Sequence, residues 1–213
     1  MQKPKVLHTL VLALALAGLS GCPFAPEKGK TPPPPDPDPY KEPTSASNVL
    51  DNLVKAYETR DIVEYRKLFD EDEFFFEFAQ VDRDRDPTIP AGWDFPTDQL
   101  STENMFQDDT IDKIVLDFTK LERVAATAED QLPGGAAGVW KVPAQNVHLE
   151  VHTVGEDGQP LEFLVDGDGA DFFFREYADQ PAPSGAPSWK IIRWRDKPVG
   201  GLLSMGEIKS GRF

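Results

Sequence analysis

The sequence predicts an α+β domain in which three N-terminal helices pack on a curved, mainly antiparallel sheet. Apolar residues recur at helical spacing between residues 48 and 69. From Phe74 onwards they mostly alternate at the spacing of strands. Helices and strands thus occupy separate parts of the chain, which is typical of α+β folds. The expected domain spans residues 45–197, and residues 198–213 are expected to form a tail of loop or frayed helix.

Two short helices open the domain. Ser45 is the predicted N-cap of the first helix, whose apolar stripe consists of Leu50, Leu53, Val54 and Tyr57. Asp61, with Glu64 three residues later, forms the capping-box pattern that starts the second helix. Its inner face is predicted to contain Tyr65, Leu68 and Phe69.

The chain then alternates between extended and irregular segments before a third helix. Residues 74–78 predict a strand with Phe74, Phe76 and Phe78 on one side. The alternating charges of residues 82–86 indicate a solvated loop. The third helix is expected at 97–106, with Leu100, Met105 and Phe106 available to face the core.

Alternating apolar residues predict five further strands. They cover residues 111–121, 147–151, 161–165, 172–177 and 189–196. Asp166-Gly167-Asp168-Gly169 is predicted to be a hairpin turn between two of them. The result is a run of antiparallel strands after the helices.

The first 21 residues have the pattern of a secretory signal peptide. A positive segment with Lys3 and Lys5 precedes an apolar run from Val6 to Leu19, which is too short to span a bilayer comfortably. The run ends in Leu19-Ser20-Gly21-Cys22. The alternative is an ordinary signal peptide that contains a cysteine by chance.

These four residues resemble the lipobox of bacterial lipoproteins. The resemblance implies diacylglyceryl transfer to the Cys22 thiol, cleavage before Cys22 and often acylation of the new amine. Two or three acyl chains anchor a protein stably to a membrane. The residue after the cysteine is Pro23 rather than the aspartate that retains many lipoproteins at an inner membrane. The expected location is therefore the cell envelope, with the outer membrane favoured over the inner.

Residues 22–44 are expected to be a disordered, semi-rigid tether. Residues 23–44 include nine prolines, a composition that favours extended polyproline II and cannot bury a core. At about 3.1 Å per residue, these 22 residues reach on the order of 65 Å. A ligand for a proline-binding module is the alternative.

The charge of the chain argues against a nucleic-acid partner. The net charge is −15, and residues 45–213 hold all of the negative excess. Such a domain is repelled by phosphate backbones and by anionic lipid headgroups. The single cysteine excludes an intramolecular disulfide.

A second resemblance concerns the domain itself. The order of elements, the segment Ala56-Tyr57…Arg60-Asp61…Tyr65…Leu68-Phe69…Phe74-Phe75-Phe76 and the closing Trp189-Lys190-Ile191-Ile192-Arg193-Trp194 resemble the nuclear transport factor 2-like superfamily. This superfamily includes ketosteroid isomerase-like and SnoaL-like domains. The resemblance covers residues 45–197 and implies a cone-shaped (cystatin-like) domain whose bent sheet and helices enclose an apolar pocket.

Two motifs suggest metal sites but are better interpreted otherwise. His148, Glu150 and His152 point to one face of a strand, yet the two histidines lie about 13 Å apart at 3.3 Å per residue. They cannot share one ion, so a polar outer face is expected. Asp166 to Asp171 lacks the sixth-position glycine and closing glutamate of a calcium loop and is interpreted as a turn. We therefore expect no metal and no cofactor.

No catalytic residue is assigned. Six residues are hypothesised to line the pocket: Tyr57, Tyr65, Trp93, Asp117, Phe118 and Trp194. The leading hypothesis is a lipid-anchored lipoprotein whose noncatalytic domain binds a small ligand or a protein partner. The alternatives are an isomerase, cyclase or hydratase acting on an apolar small molecule, and a structural module that forms homodimers.

Overall fold

The computed structural model describes residues 39–155, 157–199 and 203–211. The predicted signal peptide, the lipobox with Cys22, and most of the tether lie outside the described residues. Within the described ranges, no helix is long and apolar enough to cross a membrane.

The domain consists of helices on one face of a mainly antiparallel sheet, as the sequence predicts. The elements in chain order are α1 (Ala46–Thr59), α2 (Ile62–Lys67), β1 (Phe75–Glu77), α3 (Gln80–Arg85), β2 (Gly92–Asp94), α4 (Phe95–Gln107), β3 (Ile111–Lys120), β4 (Val124–Ala125), a 3-10 turn (Ala128–Asp130), β5 (Val139–Val154), β6 (Pro160–Pro181), β7 (Pro187–Lys197) and α5 (Met205–Gly211). The strand order is β2-β1-β7-β6-β5-β3, and β4 pairs with β5. β1 lies parallel to β7, whereas the other strand pairs of the described sheet are antiparallel.

The first two helices begin where the capping patterns predict. The Ser45 side chain accepts a hydrogen bond from the amide of Asn48, and the Asp61 side chain accepts one from the amide of Glu64. Between the helices, Arg60 adopts a left-handed conformation with φ of 54°. This conformation ends α1 and lets α2 start in a new direction.

The predicted hairpin turn at residues 166–169 is wrong, because these residues lie inside the single long strand β6. Gly167, with φ of +79°, is an extra residue between the partners of Val147 and His148 on β5. A second irregularity on β5 includes Asn146, with φ of 52°. Such bulges bend a strand and increase its twist. The acidic Gly-containing motif therefore curves the sheet instead of reversing the chain.

Two further expectations from the sequence are wrong. Residues 82–86 were expected in a solvated loop, but helix α3 covers most of them and buries Asp82. The Asp82 carboxylate accepts a 2.8 Å hydrogen bond from the Ser204 hydroxyl, a contact that no local pattern reveals. Leu100 was expected to face the core, yet 59% of its surface is exposed. Met105 and Phe106 are buried as predicted.

The folded domain extends beyond residues 45–197 at both ends. Before the first helix, the Asn52 side chain hydrogen-bonds the amide and carbonyl of Lys41 at 2.8 and 2.7 Å. The Trp189 amide donates a 2.7 Å hydrogen bond to the Pro43 carbonyl. After β7, helix α5 buries Ile208 and Lys209. The expectation of a loop or frayed helix for the tail is thus wrong for residues 205–211.

Helix α5 starts with a capping box that the sequence analysis overlooked. The Ser204 hydroxyl accepts a 2.9 Å hydrogen bond from the Glu207 amide, and the Glu207 carboxylate accepts a 3.0 Å bond from the Ser204 amide. Arg85 forms a 2.6 Å ion pair with Glu207. These contacts join the start of α5 to α3. They thereby fix which side chains of α5 face the core.

Truncation of Ile208 should measure how much α5 contributes to the fold. Ile208 is fully buried, so Ile208→Ala is expected to lower the free energy of unfolding by roughly 3 kcal/mol. The control Leu100→Ala removes a similar side chain from an exposed position and should change it by less than about 0.5 kcal/mol. Urea unfolding of both variants tests this; equal losses would contradict a packed α5.

Candidate functional site

The interior between the helices and the sheet contains a group of polar side chains at a site surrounded by aromatic residues. We call this group the Lys209 cluster: Tyr57 on α1, Tyr65 on α2, Asp98 and Thr102 on α4, and Lys209 on α5. Each of the five is buried, with at most 2% of its surface exposed. Four helices therefore each contribute to one polar site inside the domain.

The Lys209 ammonium lies at the centre of the cluster. Its Nζ donates a short hydrogen bond to Asp98 Oδ1, and lies 3.3 Å from both Tyr65 Oη and Thr102 Oγ1. The Tyr65 hydroxyl donates to the other Asp98 oxygen at 2.5 Å. The Ser101 hydroxyl donates a 2.8 Å hydrogen bond to the Lys209 carbonyl. The ammonium thus has three oxygen partners, which match its three N–H donors.

Aromatic rings complete the surroundings of the ammonium. Lys209 Nζ lies 5.0 Å from the ring centroids of both Phe76 and Trp194, and 5.8 Å from that of Tyr65. A cation within about 6 Å of a ring centroid is attracted by the electrons of the ring face. Phe76 and Trp194 are also in edge contact with each other, with centroids 5.4 Å apart.

Charge and burial act together on the titrating groups of the cluster. Burial lowers the pKa of Lys209, but attraction to Asp98 outweighs it and leaves this pKa above its ordinary value. Burial raises the pKa of Tyr65 well above 10.0, and the negative charge of Asp98 raises it further. Burial also raises the pKa of Tyr57. At neutral pH the cluster therefore holds one ammonium with neutral phenols around it.

The indole N–H of Trp194, beside the cluster, is buried and lacks a hydrogen-bond partner among the described residues. A buried polar group without a partner costs roughly 1–3 kcal/mol, so such groups are rare in native interiors. The site thus has hydrogen-bonding capacity that the protein itself does not use.

An acidic group lies at the start of α5. Asp196 accepts a 2.8 Å hydrogen bond from the Gly206 amide, Asp82 is bonded to Ser204, and Asp168 accepts a 2.9 Å bond from the Val199 amide. Burial, together with the nearby charges of Asp168 and Asp82, raises the pKa of Asp196 to about 7. Burial likewise raises the pKa of Asp82 and of Asp168.

The structure brings together three of the six residues hypothesised to line a pocket. Tyr57 and Tyr65 belong to the Lys209 cluster, and the ring of Trp194 lies beside it. Trp93 is half-buried and packs against Phe78 instead, with ring centroids 4.9 Å apart.

The other two lie apart from the cluster. Phe118 is buried against Phe172, at 5.5 Å between ring centroids. Asp117 is exposed, because it alternates with the buried Leu116 and Phe118 along β3.

Sequence reasoning missed Asp98, Thr102 and Lys209. Asp98 and Thr102 are four residues apart, so they share one face of α4. The same buried side of α4 also contains Phe95, Met105 and Phe106, so the two polar residues lie among apolar ones. Their common partner, Lys209 on α5, is distant in sequence, and no local pattern reveals it.

The histidines of β5 lie apart from the cluster on a half-exposed surface. Glu150 bridges them, at 2.9 Å from His148 Nε2 and 3.1 Å from His152 Nε2. Hydrogen bonds to Glu150 and to Asp166 raise the pKa of His148. In the part of the chain that the structure describes, no three His, Cys, Asp or Glu side chains are placed to hold a metal ion.

The Lys209 cluster is closed to solvent. Four of the clefts on the described surface have volumes of about 320 to 830 Å3, and none of these four is lined by a member of the cluster. Lys209 fills the space beside the aromatic rings, and α5 covers it. Access to this site therefore requires α5 to move.

No family model matches the chain, and no curated protein matches its sequence. A structure of a candidate aromatic ring hydroxylase from Novosphingobium aromaticivorans is 12% identical, with a TM-score of 0.48 over 81% of this chain and 99% of the other. A candidate calcium/calmodulin-dependent protein kinase type II association domain from Thiobacillus denitrificans is also 12% identical, with a TM-score of 0.44 over 73% and 96% of the two chains. No activity follows from similarities at this level.

The energetic coupling of Lys209 and Asp98 can be measured with a double-mutant cycle. Lys209→Met leaves the Asp98 charge buried and unpaired, and should cost roughly 3–5 kcal/mol of stability. Asp98→Asn leaves the ammonium unpaired at a similar cost. The double variant should lose at least about 2 kcal/mol less than the sum of the two. Additive losses in urea unfolding would contradict a close buried pair.

The raised pKa of Asp196 predicts a loss of stability towards alkaline pH. The folded protein holds this proton up to about pH 7, whereas the unfolded chain releases it near 3.8. Unfolding therefore becomes more favourable as the pH rises through this window, by about 3 kcal/mol between pH 5 and pH 8.

Asp196→Asn should remove this contribution, since the amide oxygen still accepts from Gly206. Urea unfolding at pH 5 and pH 8 checks the expectation. The exposed Asp179→Asn serves as the control and should keep the wild-type dependence on pH. An Asp196→Asn variant with an unchanged dependence would refute the assignment.

Proposed function

We propose that the chain is a lipoprotein of the bacterial cell envelope, whose nuclear transport factor 2-like domain binds a small ligand or a protein partner without catalysing a reaction. The signal-peptide pattern and Leu19-Ser20-Gly21-Cys22 support the anchor. Helices packed on one face of a bent, mainly antiparallel sheet are the architecture that the resemblance to this superfamily implies. The membrane partner would be reached through acyl chains on Cys22.

One observation carries the noncatalytic role: the carboxylate of the Lys209 cluster is already paired. Both oxygens of Asp98 are occupied, one by the Lys209 ammonium and one by the Tyr65 hydroxyl. A general base needs a free lone pair within reach of the proton it removes. Asp98 is fully buried beside the ammonium with which it pairs, so no substrate proton comes within its reach while α5 is in place.

An isomerase, cyclase or hydratase remains the second candidate, favoured by the same buried group. Buried ionisable side chains beside a charged partner are frequent in active sites, and the Asp98 carboxylate and the Tyr65 phenol are such a pair. If α5 were displaced, Asp98 and Tyr65 would become a base and a hydrogen-bond donor for an apolar substrate. Turnover by the full chain that Asp98→Asn abolishes would establish this candidate and overturn the noncatalytic role.

The third candidate, a module that forms homodimers, has less support from the described surface. The exposed large apolar side chains come from different elements: Val63, Val81, Leu100, Leu121, Val124, Val154, Leu161 and Val199. Single exposed apolar residues are normal on monomers, whereas a contiguous patch marks an interface. Light scattering of the full chain separates a dimer from a monomer.

The anchor is tested by labelling cells with radioactive palmitate. Cys22→Ala is expected to abolish incorporation of the label, because the thiol is the proposed acceptor. Ser20→Ala keeps a small residue beside the cleavage site and should remain labelled. Label retained by Cys22→Ala would disprove lipidation at this residue. Separation of inner and outer membranes then tests the expected outer-membrane location.

A further inference from the structure

The surroundings of the Lys209 ammonium have the composition of a binding site for an amine. A carboxylate, a phenol and a hydroxyl accept its three N–H donors, and three aromatic rings lie within 6 Å. A buried charge is costly unless it is fully paired. Here two different helices and the sheet supply the partners of one cation, and aromatic rings beside a cation are how proteins recognise ammonium ligands.

We propose that this site binds the primary ammonium group of an aliphatic amine, and that Lys209 occupies it as an intramolecular substitute until such a ligand displaces α5. The inference rests on the proposed binding role and names its ligand class. A primary ammonium is favoured over a quaternary one, because only the former has three N–H donors for Asp98, Tyr65 and Thr102. A neutral ligand would leave the Asp98 charge buried without a counter-ion.

An unused hydrogen-bond donor supports a ligand larger than the lysine head group. The Trp194 indole N–H is buried and has no hydrogen-bond partner among the described residues while Lys209 is in place. It is able to donate one hydrogen bond. An amine that also carries a hydrogen-bond acceptor would therefore use contacts that Lys209 does not provide.

The position of α5 makes displacement compatible with an intact sheet. α5 is not part of the strand order, so its departure breaks no ladder of the sheet. Its described attachments include the Arg85–Glu207 ion pair, the hydrogen bond from Gly206 to Asp196 and the hydrogen bond from Ser101 to the Lys209 carbonyl. Ser204, Ile208 and the Lys209 side chain add the contacts described above. These are local contacts of one short helix with the domain.

The capacity of the site is tested by removing its occupant. The full chain in a neutral detergent is titrated with n-butylammonium as wild type, Lys209→Ala and Lys209→Ala/Asp98→Asn. Lys209→Ala should bind the amine at least tenfold more tightly than wild type does. The double variant should bind it at least tenfold more weakly than Lys209→Ala does. For Lys209→Ala, tetramethylammonium and n-butanol should each bind at least tenfold more weakly than n-butylammonium.

Displacement is tested on the wild type. Saturating n-butylammonium should increase amide hydrogen exchange in residues 205–211 while leaving exchange in β6 unchanged. If Lys209→Ala is unfolded, recovery of its circular dichroism on addition of the amine supports the proposal, and absence of recovery overturns it. A folded Lys209→Ala that ignores the amine, or binding that survives Asp98→Asn, also overturns it. The proposal is also overturned if the amine leaves amide hydrogen exchange in α5 of the wild type unchanged.

Failure of this proposal is distinguishable from failure of the proposed function. Native mass spectrometry of the full chain from cells reports any small ligand that remains bound. A bound molecule without an amino group would overturn the amine assignment and keep the binding role. Palmitate labelling at Cys22 is independent of both results.

Discussion

The pairing of Lys209 with Asp98 is the interaction on which the interior of this domain depends. It places a charged pair where the bent sheet and the helices would otherwise enclose apolar side chains. Because a buried charge is tolerated only when it is paired and hydrogen-bonded, the pair fixes the positions of its neighbours. α4 must turn Asp98 and Thr102 inwards, α2 must offer the Tyr65 hydroxyl, and α5 must lie against both.

This constraint explains why the sequence predicted the elements better than the site. Residues 46–59, 62–67 and 111–120 have clear periods and caps, so their helices and strands follow from local physics. Asp98 and Thr102 of α4 are buried among apolar residues, because a lysine more than 100 residues away supplies the compensating charge. No local pattern contains that information. Tyr57, Tyr65 and Trp194 were hypothesised as pocket residues and lie in or beside the cluster. Asp117 was hypothesised in the same way but is exposed, because it alternates with buried residues along β3.

The acidic Gly-containing segment of β6 illustrates a different limit of sequence reasoning. Asp-Gly repeats between apolar runs are typical of hairpin turns, but Gly167 adopts its positive φ within a continuous strand. The same backbone freedom that closes a two-residue turn also accommodates a bulge. The choice between them depends on the partner strand. β5 runs on past this point and pairs with both halves of β6, so the chain bends there without reversing.

Residues 39–44 have a mechanical role that follows from their hydrogen bonds. Lys41 is held by the Asn52 side chain on α1, and the carbonyl of Pro43 by the amide of Trp189 on β7. The segment that enters the domain is therefore fixed to a helix and to a central strand of the sheet before the first turn of α1 begins. Its direction at residue 39 is thus set by the domain and not by the end of a single helix.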